Sequence, residues 1–328
     1  PRLLNPQVKL DWVNSHGWES EIYAYTLTFG PPGRHTEVKR VMRLLTGADD
    51  ASARQEFEIY AILNKAGYPV PEVYELGSST DGFGHPFILM QCIEEQLRFS
   101  DRFPRKPTDD QAPLHQFALV FRRLHELEWE RFTDKWQEAD LGGNPYFYFS
   151  QEISLYERRL HQANILMLDP ILQWLWDQES RTGCRRSSII HFDFHPDNIL
   201  QDKNGQLFVV DWSSAKVSDY RFDLAWTLTL ALAYRGADTR EHILAAYEHI
   251  LGETVPALEV FEAAAIVRRL GTVIISLQAG AESMGMRSEA ADAMRQDKEP
   301  LTRIFHRLMQ LTDKPLPELA VWLQGLDG

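Results

Sequence analysis

The sequence holds little cysteine, little positive charge for its size and no long apolar run. Its 328 residues include 2 cysteines, Cys92 and Cys184. Two are too few for a disulfide framework, which points to a reducing, cytoplasmic setting with the thiols buried, although a lone bridge stays open. Basic side chains number 34 against 47 acidic ones, a formal net charge of -13. That balance argues against non-specific nucleic-acid binding, which needs cations to neutralise phosphate, and leaves neutral or cationic partners open. The longest charge-free apolar stretches, residues 224–234 and 270–281, fall short of the ~20 residues of a membrane span. The first residues, PRLLNP, have no apolar core of a secretory signal. A soluble protein without a membrane partner is expected. At 44% hydrophobic and 25% charged, the composition excludes disorder and fibrous repeats and suits one large or two smaller domains.

What is there changes character along the chain. Residues 21–29, EIYAYTLTF, and 38–45 read as strands rich in β-branched and aromatic side chains, parted by the turn GPPG at 30–33. Residues 51–66 have helical spacing, closed by Gly67-Tyr68-Pro69, and 87–90 read as a further buried strand. After a polar, proline-bearing stretch at 94–113, apolar stripes at helical spacing mark 116–127, 155–176, 220–234, 240–251, 258–279 and 301–311. The expectation is an α+β chain: a small sheet-containing lobe at residues 1–93 and a larger, mainly helical lobe at 94–328.

The segment 189–212, IIHFDFHPDNILQDKNGQLFVVDW, is the densest in chemistry. His191, Asp193, His195, Asp197 and Asn198 crowd into eight residues, and Asp211 follows. Asn204-Gly205 is a strong hairpin signal. If those two residues form the turn, Asn198 lies opposite Asp211, with side chains roughly 5 Å apart at Cβ. An amide oxygen and a carboxylate so placed suit Mg²⁺, which prefers a few oxygen ligands plus substrate phosphates. Asp193, five residues before Asn198, completes H-x-D-x-x-x-x-N, a phosphoryl-transfer loop pattern without its arginine.

Together these residues resemble the aminoglycoside phosphotransferase and choline-kinase-like superfamily, small-molecule kinases with a protein-kinase-like fold. His191 to Asn198 is similar to the family's catalytic loop, Val210-Asp211-Trp212 to its metal-binding motif, and Asp219 to Ala225 to its D-x-x-x-D-L-A helix start. The resemblance implies a bilobal kinase-like fold and transfer of the γ-phosphoryl of ATP or GTP to a hydroxyl on a small molecule. It implies that Asp193 positions and deprotonates that hydroxyl, that Asn198 and Asp211 hold Mg²⁺, and that Asp223 supports the catalytic loop. Arg43 stands where the family has its strand cation, often lysine, and Glu56 where the helix partner belongs; Lys39 is a rival cation. The phosphate loop is reduced to His16-Gly17-Trp18-Glu19-Ser20, with Ser20 the candidate contact. The stretch 90–93, with Gln91 and Ile93, is the candidate connector for the nucleotide base.

Blander readings stand beside these. His191 and His125 read as packed structural residues, His195 as either a substrate contact or an internal loop partner, Asp197 as a turn residue and Asp223 as an N-cap. A nucleotide-binding pseudokinase, motivated by Arg43 and the sparse glycine loop, and a metal-dependent hydrolase using the His/Asp cluster are the alternatives. Only eleven residues separate Asp211 from Asp223, too few for a protein-kinase activation segment, which favours a small acceptor. The acid excess sits mostly at 94–328, with 26 basic and 36 acidic side chains. Glu259, Glu262 and Glu282 could therefore line a pocket for an amine-bearing acceptor such as an aminoglycoside, or simply form a solvated helix face.

Overall fold

Backbone pairing between strands rich in β-branched and aromatic residues organises the start of the chain. A computed structural model describes residues 4–14, 20–31, 33–94, 96–104, 110–132, 143–284, 289–296 and 298–327. Contacts divide it into two units, one of which joins the residues up to Arg98 to the later segment Ile199–Ser213. In that unit β1 (Gln7–Asn14), β2 (Glu21–Phe29), β3 (Thr36–Leu44), β4 (Val73–Gly77) and β5 (Phe87–Gln91) form an antiparallel sheet in the order β1-β2-β3-β5-β4. Helix α1 (Asp50–Lys65) opens on Asp49, whose carboxylate accepts from the Ser52 N–H at 2.8 Å. Such a cap satisfies an N–H group that the first helical turn leaves unpaired. The helix buries Ala53, Glu56, Ile59, Tyr60 and Leu63.

A second sheet of this unit has β6 (Leu97–Arg98), β8 (Ile199–Gln201) and β9 (Leu207–Val209), in that order. Here the hairpin expected from Asn204-Gly205 is corrected. Ile199 pairs with Val209 and Gln201 with Leu207, one residue out of step with a two-residue turn. The loop is three residues long: Asp202 and Gln206 are joined by a backbone hydrogen bond of 3.0 Å, the Gly205 N–H returns to Asp202 O at 3.0 Å, and Gly205 takes φ +85°. A type I turn followed by a left-handed glycine makes this loop, and Asp202 reinforces it by accepting from the N–H groups of Asn204 and Gln206 at 2.9 and 2.8 Å. The ladder therefore starts at Ile199, and Asn198 belongs to a 3-10 turn, Pro196–Asn198.

The other unit is helical apart from one small antiparallel pair, β7 (Ser188–Ile190) with β10 (Lys216–Ser218). Its helices are α2 (Ala112–Glu126), α3 (Phe147–Gln162), α4 (Asp169–Asp177), α5 (Tyr220–Arg235), α6 (Ala237–Leu251), α7 (Leu258–Ala279), α8 (Glu289–Gln296), α9 (Lys298–Thr312) and α10 (Pro317–Gln324). The run 155–176 read as one helix is two, because Asn164 turns left-handed (φ 55°) between α3 and α4. Helix α5 is the pillar, packed against α6, α7 and α9, with Phe222, Leu224, Ala225 and Leu228 at most 1% exposed. Its N-cap is Asp219, which accepts from Arg221 N, and Asp223 lies one turn inside the helix; the reading of Asp223 as the cap is thus replaced. None of the helices, among the described residues, is long and apolar enough to cross a membrane.

Candidate active site

Each unit holds one group of side chains that can do chemistry. In the sheet unit it is built around Arg43, which β3 carries into the interior. Arg43 is ion-paired to Glu56 of α1, gives Nη2 to Asp211 Oδ1 at 2.8 Å and Nε to Ser20 Oγ at 3.1 Å. The Arg43 and Glu56 side chains are 7% and 4% exposed, while Asp211 is 41% exposed. Burial works against the arginine's charge, but the carboxylates of Asp211 and Glu56 raise its pKa well above the ordinary range. A planar fork can serve several carboxylates at once in a way a lysine cannot. Lys39, the rival cation, is instead a half-exposed partner of Glu94 at 2.9 Å.

Asp211 takes a left-handed backbone conformation (φ 69°), which costs a non-glycine residue roughly 1–2 kcal/mol. It is held there by its N–H donating to the Tyr60 hydroxyl at 3.0 Å, and the next N–H, of Trp212, donates to Glu56 Oε1 at 3.3 Å. The carboxylate thus stands at a fixed place while remaining part-exposed. Gln91 ends β5, its N–H donated to Glu72 O at 2.8 Å, and Ile93 is 6% exposed. His16, Gly17, Trp18 and Glu19 of the expected phosphate loop lie outside the described residues.

In the helical unit the loop after β7 carries Asp193. Asp223 of α5 shapes this loop by accepting from the backbone N–H groups of His191 and Phe192, each at 2.8 Å. Asp223 also meets His125 Nε2 at 3.2 Å, and His125 Nδ1 meets the Tyr247 hydroxyl at 2.8 Å. Phe192 is left-handed (φ 62°), and Asp223 holds both its own N–H and the one before it. His191, fully buried, accepts from the Asp193 N–H at 3.2 Å through Nδ1.

The Asp193 carboxylate takes Trp226 Nε1 on Oδ1 at 2.9 Å and Asn198 Nδ2 on Oδ2 at 3.2 Å, with His195 Nε2 at 3.5 Å from Oδ2. Burial pushes the Asp193 pKa up, but the positive His195, reinforced by the indole and by His191, outweighs it and holds the acid well below the usual carboxylate range. Burial likewise opposes the charge on His195, yet Asp193 and Asp197 raise its pKa to about 10. Asp197 lies 3.6 Å from His195 Nδ1 and 4.0 Å from Arg235. Asn198 spends its amide N–H groups on Asp193, through Oδ2 and the backbone carbonyl at 3.0 Å, which leaves the amide oxygen as its ligand atom.

Taken singly, Asp211 offers a fixed, part-exposed carboxylate and Asn198 a neutral amide oxygen, both oxygen types that a hard cation such as Mg²⁺ accepts. Among the described residues no three His, Cys, Asp or Glu side chains are grouped to hold a metal, and the loop histidines are engaged with Asp193 and its neighbours. The acidic side chains expected to line a cationic pocket are answered instead. Glu262, fully buried, is held by Arg240 at 2.7 Å and Arg307 at 3.0 Å, and Glu259 pairs with Arg181. The side chain of Glu282 lies outside what the structure describes. Cys92 and Cys184 are free thiols, and burial pushes Cys184 up to about 12, so it is inert as a nucleophile.

Sequence reasoning passed over Trp226, Tyr60 and Arg268. Trp226 carries an indole N–H inside the mostly buried helix α5 and Arg268 a charge on the mostly buried helix α7, which were the local signals.

The family model described as the phosphotransferase enzyme family matches residues 14–312. A curated relative, the mouse acyl-CoA dehydrogenase family member 10, is 26% identical over 186 residues, 55% of this chain and 16% of that protein; the chain thus spans about a sixth of that relative's length. Among solved structures, one assigned to the aminoglycoside phosphotransferases from Ralstonia eutropha is 16% identical, covers 94% of this chain and 93% of its own, and superposes with a TM-score of 0.64. The choline kinase of Streptococcus pneumoniae is 13% identical over 92% of this chain and 94% of its own, at 0.54. The ethanolamine kinase of Plasmodium vivax is 13% identical over 93% and 81%, at 0.55. The fold is the protein-kinase-like one of these enzymes, and the chain belongs to the phosphotransferase enzyme family.

Proposed function

We propose that this phosphotransferase is a small-molecule kinase that moves the γ-phosphoryl group of ATP or GTP to a hydroxyl. The observation that carries the reading is Asp193, a carboxylate kept ionised by His195 and fixed by Trp226 and Asn198. Such a group accepts the hydroxyl's hydrogen and sets the oxygen's direction. In the transfer, the acceptor oxygen bonds to phosphorus, the bond from phosphorus to the β-phosphate oxygen breaks, and the hydroxyl proton leaves toward Asp193. With its pKa held so low, Asp193 takes that proton late and works mainly by orientation, as expected for a loose phosphoryl-transfer transition state.

Arg43, anchored by Glu56, is the proposed phosphate contact, with Ser20, Gln91 and Ile93 assigned to the nucleotide and His191, His195 and Asp223 to support of the loop. Asn198 and Asp211 would hold Mg²⁺, which when bound neutralises phosphate charge. The test is ADP formation and thermal shift with Mg²⁺ and ATP or GTP across a panel of hydroxylated compounds. Asp193→Asn is expected to lower turnover by about 10²–10⁴-fold and to leave the nucleotide-induced shift intact. A protein that no nucleotide stabilises at millimolar levels, or an Asp193→Asn variant as fast as the parent, overturns it.

A further inference from the structure

The named choline and ethanolamine kinases suggest an amine-bearing acceptor, but the charges beside Asp193 have the opposite sign. Arg268 of α7 lies between two aromatic rings, its Cζ 3.7 Å from the centroid of Phe192 and 3.8 Å from that of Trp226. Trp226 is the residue whose indole N–H holds Asp193, so one indole carries the guanidinium on its face and the carboxylate assigned to the acceptor hydroxyl at its N–H edge. It gives Nη1 to Phe192 O at 2.9 Å, and no carboxylate among the described residues is within ion-pair reach of it.

The acids near enough to influence it are Asp193, Glu152 and Asp223, and each has its own partners. Asp193 has His195, Trp226 and Asn198; Asp223 has His125 and two backbone N–H groups; Glu152 has Lys216. Lys216 itself lies over the other contact of Arg268, 4.3 Å from the Phe192 ring centroid. Nearby, the buried Tyr156 hydroxyl is taken up by the neighbouring Glu152 carboxylate. A half-buried, ring-stacked arginine without a carboxylate partner among the described residues is an arrangement for an anion with planar or tetrahedral oxygens.

We infer that the acceptor is an anionic alcohol, a hydroxyl compound bearing a carboxylate or phosphate group that Arg268 receives while Asp193 holds the hydroxyl. This rests on the kinase reading of Asp193. An amine-bearing acceptor would bring its ammonium group against Arg268 and the protonated His195, whereas a carboxylate gains a two-pronged partner. Arg268 then sets which acceptors are used, beyond its contact with the loop.

The experiment measures ATP-dependent phosphorylation of hydroxy-carboxylates of graded length, their methyl esters and amides, phosphomonoesters of diols, and amino alcohols. Anionic members are expected to be used with KM at least about tenfold below their neutral esters, and the carboxylate and phosphate arms identify which anion is preferred. Arg268→Gln should raise KM for the anionic acceptor at least about tenfold while changing KM for its neutral ester little, and Arg268→Lys should restore part of the difference. Equal use of ester and carboxylate by the parent protein, or preference for amino alcohols, overturns the inference and leaves the kinase intact. An equal fall in kcat for charged and neutral acceptors in Arg268→Gln, without a KM difference, reduces Arg268 to a loop support and also overturns it. Absence of ADP formation with every acceptor removes the kinase reading itself.

Discussion

His195 keeps its proton in the fold up to about pH 10, against burial, because Asp193 and Asp197 face it. The sign of the consequence follows from linkage. A raised histidine pKa contributes stability in full below its ordinary 6.5, progressively less above it, and nothing beyond about 10. From Asp193 the same pair contributes above the ordinary carboxylate value of 3.8 and fades only as pH falls toward its depressed one. The stability gap between the parent and His195→Gln, measured by urea unfolding, should therefore narrow steadily from pH 6.5 to 10. A gap that stays constant over that range contradicts the assignment. The same replacement removes the positive neighbour of Asp193, so its pKa rises. The acid limb of the turnover profile should then move to higher pH, while the parent stays flat down to about pH 5. Superimposable profiles would show that His195 does not govern Asp193.

Local backbone requirements set the elements. Gly205 occupies φ +85° with only the Gln201 amide nitrogen near its missing Cβ, at 3.6 Å. Space is available, so Gly205→Ala should cost only the left-handed penalty, about 1–2 kcal/mol, and Gly205→Asn less, because asparagine tolerates that region. Denaturant midpoints check both, and an Ala variant as stable as the parent would mean that the loop can re-form with another register. That register shows what the sequence could and could not tell. Asn-Gly announced a hairpin, but only the side chain of Asp202, gripping two N–H groups of the loop, makes it three residues long and separates Asn198 from the ladder. Helix α7 was legible to the residue, since apolar side chains recur at helical spacing through its 22 residues. Strand β1 was not, because Val8, Leu10, Trp12 and Val13 are all at least 40% exposed and its polar alternation is interrupted by a bulge between Leu10 and Trp12. The cluster from His191 to Asn198 was visible because it is contiguous. Trp226 and Arg268 reach Asp193 and Phe192 from 33 and 76 positions away, which only the packing of α5 and α7 arranges.

Chain order and spatial grouping disagree over Ile199–Ser213, and this sets how the whole molecule can be divided. The segment comes about a hundred residues after Arg98 yet belongs to the unit that Arg98 ends. Its contribution is central to that unit. Trp212 is fully buried, edge-on to Tyr68 at 5.7 Å, and donates its backbone N–H to Glu56; Val209 N–H donates to Pro69 O at 2.8 Å; Asp211 supplies the second carboxylate on Arg43. A fragment ending at Arg98 keeps Arg43 and Glu56 but loses Asp211, the part-exposed second carboxylate on that cation, a charged hydrogen bond worth about 1.5–3 kcal/mol. Uncovering Tyr68 and removing a buried tryptophan costs at least as much. The total is of the order of a domain's whole stability, about 5–15 kcal/mol. Residues 1–98 alone should therefore show no cooperative melt by circular dichroism. The same residues joined by a flexible linker to 199–213 should regain one, and Trp212→Ala in that linked protein should abolish it. A free 1–98 fragment melting within a few degrees of the linked form would show that the sheet unit stands without its borrowed hairpin.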